Sequence, residues 1–185
     1  MSRILRNALL VLLSLSLSNC KKDKQKEITI EYPLFFVNNM EIDTTEADSL
    51  IVRESIDFPT NLDGELAKNN TDKSRIKSGK LEFFRIQILD NAVFDSLNYC
   101  NFKDLKEMSI DIKHNDLGQF EVANKLNIPD TRTKALNLDL TNIELKEYLQ
   151  KETFKMVFKY RKRRQMHHEM PFVVSLKFKI VAEAL

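Results

Sequence analysis

Glycine, proline, histidine and cysteine are all scarce in this chain of 185 residues, which has 3 Gly, 4 Pro, 3 His and 2 Cys. So few glycines leave nothing from which to build a glycine-rich phosphate cradle, and so few cysteines and histidines nearly exclude zinc clusters and disulfide frameworks. An excess of one charge is missing as well. Lys and Arg total 29 against 27 for Asp and Glu, and Arg3 and Arg6 at the front account for the difference. A body so balanced lacks the basic field of a nucleic-acid binder, and no nucleic-acid partner is expected. Long hydrophobic runs are absent too: the uncharged run Ala8 to Leu17 is ten residues, where a membrane-spanning helix needs about 20. What remains, 43% hydrophobic and 30% charged, is the composition of one globular domain with extra sequence in front of it.

That extra sequence reads MSRILRNALLVLLSLSLSNC: two arginines, the short apolar run, then small or polar residues ending at Cys20. The order is that of a secretory signal peptide, whose apolar region needs only about 7 to 15 residues. Leu17-Ser18-Asn19-Cys20 resembles the lipobox of bacterial lipoproteins, with Leu three before the cysteine; Asn19 departs from the Gly, Ala or Ser usual before it. The resemblance implies cleavage before Cys20, a thioether-linked diacylglycerol on its sulfur and acylation of its new amine. One acyl chain holds a protein reversibly, at about 0.8 kcal/mol per buried methylene, whereas two or three hold it durably. Lys21-Lys22-Asp23-Lys24-Gln25-Lys26-Glu27 is charged and free of apolar residues, as a solvated tether is. The expected organisation is a signal peptide over 1–19, a lipidated cysteine and tether over 20–27, and one domain over 28–185. Its expected place is the bacterial envelope, as an outer-membrane lipoprotein facing the periplasm or the cell surface.

From residue 28 onward the dominant period is two, the mark of strands with one face on a core. Phe154, Met156, Phe158 and Tyr160 alternate with Lys155, Lys159 and Arg161. Phe172, Val174, Leu176, Phe178, Ile180 and Ala182 alternate with Ser175, Lys177, Lys179 and Glu183. Two such strands joined by polar residues read as a β-hairpin. Shorter stripes come earlier: Ile28, Ile30 and Tyr32; Leu50, Val52, Ile56 and Phe58; Phe84, Ile86 and Ile88; Met108, Ile110 and Ile112; Phe120 and Val122; Leu136, Leu138 and Leu140. About eight strands follow, and the expected fold is an all-β antiparallel sandwich with one short helix. Pro33 marks its strand as an edge or a broken one. Thr141-Asn142-Ile143-Glu144 has the capping-box form ahead of the helical face Leu145, Tyr148 and Leu149. Residues 61–80 read as a long connection with a helical turn near Leu66.

The stretches Lys80 to Ile88, Asn101 to Lys106, Ile128-Pro129 and Asn142 to Leu149 are similar in order and spacing to a group of bacterial envelope lipoproteins of uncharacterised function. That resemblance covers about half the chain. It implies hydrophobic anchors, with Phe102, Leu105 and Tyr148 plugging the ends of the sandwich, and it carries no catalytic residues across.

Sites of chemistry are sparse. Cys100, flanked by Tyr99, Asn101 and Phe102, reads as a buried small side chain in preference to a reactive thiol. His114, His167 and His168 would need carboxylates such as Asp111, Asp116 or Glu169 to hold a metal, and adjacent His167 and His168 on a strand point to opposite faces. No metal, cofactor or catalytic residue is expected. Lys159, Arg161, Lys162, Arg163 and Arg164 form the densest basic run, placed at the tip of the C-terminal hairpin, where it would touch an anionic surface or stand solvated. Residues 41–66 hold eight acidic side chains against Arg53 alone; next to the basic run in space the two would neutralise each other, and at opposite poles they would direct contacts. The leading expectation is a non-enzymatic, lipid-anchored binding module for a protein, glycan or surface ligand. A small envelope hydrolase using paired carboxylates, and a subunit of an envelope complex with an apolar sheet face at Val157, Val173 and Val181, are the alternatives.

Overall fold

A computed structural model describes residues 25–40, 48–55, 57–89, 101–164 and 170–184. Among the described residues ten strands form two antiparallel sheets. The first holds, in order, β1 (Gln25–Met40), β10 (Met170–Glu183), β4 (Ile76–Ile88) and β7 (Ala135–Asn137). The second runs β2 (Leu50–Glu54), β9 (Thr153–Lys162), β5 (Leu105–His114), β6 (Gly118–Lys125) and β8 (Asp139–Leu140), with β3 (Phe58–Pro59) also on β9. The described residues also hold two short helices, α1 (Asp63–Lys68) and α2 (Lys146–Leu149), and 3₁₀ turns at Lys73–Arg75 and Phe102–Asp104. The expected all-β sandwich is the fold.

The period-two stripes make the core. Even-numbered residues from Phe172 to Ala182 are all buried, as are Phe154, Met156, Phe158 and Tyr160 facing them. Phe158 meets Phe172 edge-on with ring centroids 5.3 Å apart, and Phe58 stacks on Phe154 at 4.8 Å. Each such side chain contributes about 1.5–3 kcal/mol by leaving water. Pro33 lies in β1, at the edge of the first sheet, next to a register irregularity between Leu34 and Asn38, where a missing N–H is tolerated.

Strands β9 and β10 are not a hairpin. They belong to different sheets, and the chain crosses the sandwich between Lys162 and Met170. An arch and a hairpin place alternate residues on one core equally well, so periodicity does not distinguish them. The basic run consequently lies along β9 and just beyond it, with the Lys162 side chain fully buried. Strand β2 is out of phase with its expected stripe: Ile51 is buried opposite Tyr160, while Leu50 and Val52 are 53% and 50% exposed. The capping box at Thr141 does not form. The Thr141 hydroxyl donates to the Glu121 carbonyl, and α2 starts only at Lys146. The helical turn near Leu66 is present, with Leu66 buried, but β4 begins at Ile76, shortening the expected connection.

Register defines the two ends. At one, here the helical end, Gln25 pairs with Glu183 and Ile76 with Ala182, and the β5–β6 hairpin turns between His114 and Gly118. Helix α1 is tied there through Thr71 to the Glu183 carbonyl, and α2 through Leu145 N–H to the Gly79 carbonyl. At the far end, Phe102 N–H donates to Thr133 and Ile128 N–H to Lys106, with Phe102 and Leu105 buried beneath. Phe102 and Leu105 thus close one end and Tyr148 the other.

Candidate functional site

A cleft of about 370 Å³ opens at the helical end between the β5–β6 hairpin and α2, lined by Leu117, Phe120, Ile143, Glu144, Lys146, Glu147 and Tyr148. Gly118 makes the turn possible with φ of +83°, a conformation that suits glycine. Tyr148 fixes the hairpin to α2: its hydroxyl donates to the carbonyls of Leu117 and Gly118, at 3.1 and 3.0 Å. Burial, with the Glu147 carboxylate adding to it, raises the phenol pKa, so the hydroxyl remains a donor at neutral pH. Phe120 meets the Tyr148 ring edge-on at 6.4 Å and is 48% exposed. The sequence placed Phe120 in the core with Val122. Phe120 lies opposite the buried Ile112, on the core side of β6, but only two residues past the turn, where the sandwich is open; a bulge farther along β6 buries Val122 and Ala123 together.

Glu144 builds the cleft wall. One carboxylate oxygen accepts from Gly79 N–H at 2.6 Å and from Lys146 N–H at 3.0 Å, joining the start of α2 to β4. Glycine at 79 is required by proximity: a Cβ there would lie 2.3 Å from Leu149 Cδ1. The cleft therefore combines an apolar floor, one exposed aromatic ring and a rim carrying both signs of charge, the composition of a binding surface.

The basic run is spread over an ionic lattice. Lys159 pairs with Asp111, a buried carboxylate that also accepts from Gln119. Arg161 pairs with Glu107 at 2.9 Å and donates to the Asp48 carbonyl at 2.6 Å. Arg163 donates to the Lys103 and Ile128 carbonyls, and Arg164 makes a fork on Asp130 at 2.6 and 2.7 Å. The acidic segment is adjacent: Asp48 pairs with Lys106, and Glu54 with Lys113 and Lys155. The hydrogen bond from Lys113 is the main reason the Glu54 carboxyl pKa is lowered. The two segments lie side by side where β2 pairs with β9, but among the described residues their charged side chains are each paired with other partners and not with one another.

Cys20, Cys100, His167, His168 and Glu169 lie outside the described residues, as do Glu41, Asp43 and Glu46. His114 sits at the hairpin turn, where its Nδ1 accepts from Asp116 N–H at 3.1 Å. Among the described residues no three His, Cys, Asp or Glu side chains gather in a metal-binding group, and no helix is long and apolar enough to cross a membrane. Val157 is buried on the outer face of the second sheet, beneath charged neighbours, whereas Val173 and Val181 are half-buried. No protein-family model matches the chain, and no curated protein matches it.

Proposed function

We propose that the chain is a lipid-anchored envelope protein of bacteria, held to the outer membrane through Cys20, whose sandwich serves as a non-enzymatic binding module for a protein, glycan or surface ligand. The observation that carries this reading is the position of Cys20 in Leu17-Ser18-Asn19-Cys20, directly after a ten-residue apolar run headed by Arg3 and Arg6. Binding in preference to catalysis is supported by the state of the acids. Glu54 is held ionised by two lysines, with its pKa lowered, the opposite of what a proton donor needs, and Asp111 is paired with Lys159.

The test is the intact mass of the protein from the membrane fraction of an expressing bacterium, beside a Cys20→Ala variant. A mature chain beginning at Cys20 with added acyl mass, lost in the variant, is the expected result. A chain of unmodified mass, or one retaining its first 19 residues, overturns the assignment.

A further inference from the structure

The attachment point and the topology together orient the sandwich. From the anchor reading just given, we propose that the helical end faces the membrane, with Phe120, Leu117 and Ile143 resting on the surface of the bilayer that holds Cys20.

Four residues stand between Cys20 and Gln25, the first residue of β1, which makes five steps along the chain. An extended chain spans at most about 3.6 Å per residue, so Gln25 stays within about 18 Å of the acylated cysteine whatever path the intervening residues take. Gln25 pairs with Glu183 at the helical end. The far end lies a strand length away: β10 has 14 residues, which is about 45 Å. The tether is thus too short for the far end to take the helical end's place at the bilayer.

Both ends expose a large apolar side chain, Leu126 at 57% at the far end and Phe120 at the helical end, but the tether lets only the helical end bring its own to the bilayer. The cations beyond β9 at the far end, the half-buried Arg163 and the exposed Arg164, are bound to Asp130 and to the Lys103 and Ile128 carbonyls. At the helical end Phe120 is 48% exposed, with Leu117 and Ile143 half-buried beside it. An aromatic ring exposed near a bilayer is favoured at the boundary between headgroups and acyl chains. Lys146 lines the same cleft and suits a lipid phosphate, but Glu144 and Glu147 oppose it. The contact is therefore led by apolar groups and is only weakly dependent on salt. The other posture the tether permits, in which the sandwich lies on its β1 edge, would turn the cleft away from the lipid.

The chain has no tryptophan, so Phe120→Trp introduces a single indole in the cleft, and Arg132→Trp introduces one in the exposed loop of the far end. Each full-length protein is purified in its lipidated form, its acylation checked by intact mass, and reconstituted into vesicles of phosphatidylethanolamine and phosphatidylglycerol containing brominated acyl chains. The expected result is a loss of fluorescence of about twofold or more at position 120, unaffected by salt, and none at position 132. Equal quenching at the two positions, or none at either in a protein of confirmed lipid mass, overturns the orientation while leaving the anchor intact. Absence of lipid mass overturns the anchor itself, and the orientation with it. Amide exchange of the unsubstituted protein gives a second test that needs no variant. On vesicles, relative to detergent, exchange at residues 115–120 slows and exchange at residues 126–134 does not; the reverse pattern refutes the placement.

Discussion

Replacing Gly79 by alanine puts a methyl group where α2 packs on the first sheet. The new Cβ would sit 2.3 Å from Leu149 Cδ1 and 3.7 Å from the Lys146 amide nitrogen, against about 3.5–4.0 Å for an ordinary carbon contact. Leu149 is 1% exposed, so its side chain has to shift within a close-packed interior to make room. Overpacking of this kind costs about 1–3 kcal/mol. Removing the glycine returns about 0.5–1 kcal/mol by narrowing the unfolded ensemble. The net expectation for Gly79→Ala is a loss of up to about 2.5 kcal/mol. Leu149→Ala alone, which empties a buried site, costs about 2–5 kcal/mol.

The double variant separates a packing constraint from a general intolerance of the strand. With Leu149 trimmed, the obstructing atoms are gone and the added methyl fills part of the cavity. Gly79→Ala in that background is then neutral or stabilising, and the coupling between the two changes comes to about 1–3 kcal/mol. Urea unfolding of the four proteins, with midpoints compared at constant slope, measures it. Additivity to within about 0.5 kcal/mol would show that Gly79 is not there to admit Leu149, and the account of how α2 docks would be wrong.

Tyr148→Phe removes the donor shared by the Leu117 and Gly118 carbonyls; a loss of about 1 kcal/mol is expected in urea unfolding, with faster amide exchange confined to the hairpin turn. Asp111→Asn breaks the pair with the partly exposed Lys159, for an expected cost of about 1–3 kcal/mol. If the pair is responsible, that cost shrinks when Lys159→Met is already present. Glu54, Asp72 and Asp116 all have lowered pKa values, chiefly through hydrogen bonds from Lys113, Ser74 and Lys151 respectively. A depressed carboxyl stabilises the fold above its unfolded pKa and loses that contribution as pH falls through its folded value. The urea midpoint is therefore expected to fall on acidification below the ordinary carboxylate range. Lys113→Met should raise the Glu54 titration midpoint followed by carboxyl NMR; an unchanged midpoint would remove Lys113 as the cause.

The alternation from Phe172 to Ala182 and from Phe154 to Tyr160 was legible because those strands are central, long and wet on one face only. Pairing between strands was not, because an arch and a hairpin have the same stripe. Edge strand β2 was misphased for a related reason: Leu50, Ile51 and Val52 are all apolar, and only the register to Tyr160 selects Ile51 for the core. Phe120 escaped because alternation assigns a residue's face and not its distance from the end of the sheet: it lies opposite the buried Ile112, two residues past the hairpin turn. Of the cleft, Tyr148 could be anticipated as an end plug, and Leu145, Tyr148 and Leu149 as one helical face. Nothing in the spacing brings residues 117–120 to that face, since the contact depends on how the sheets stack.

The distribution of charge follows from register. Glu54 and Asp111 both lie opposite Val157, on neighbouring strands to either side of β9. Glu54 reaches Lys113 and Lys155, while Asp111 holds Lys159. Sliding β2 by one residue would expel Ile51 from the core and carry Glu54 away from its lysines together, so apolar and ionic terms select the same alignment. Opposite charges that fix register are engaged with one another and present no net field to a ligand. The basic run that stands out in the sequence is thus accounted for by strand alignment and loop anchoring. At the helical end the reverse holds: Glu144 and Tyr148 satisfy the backbone groups of the cleft wall, and the exposed ring of Phe120 is left facing outward.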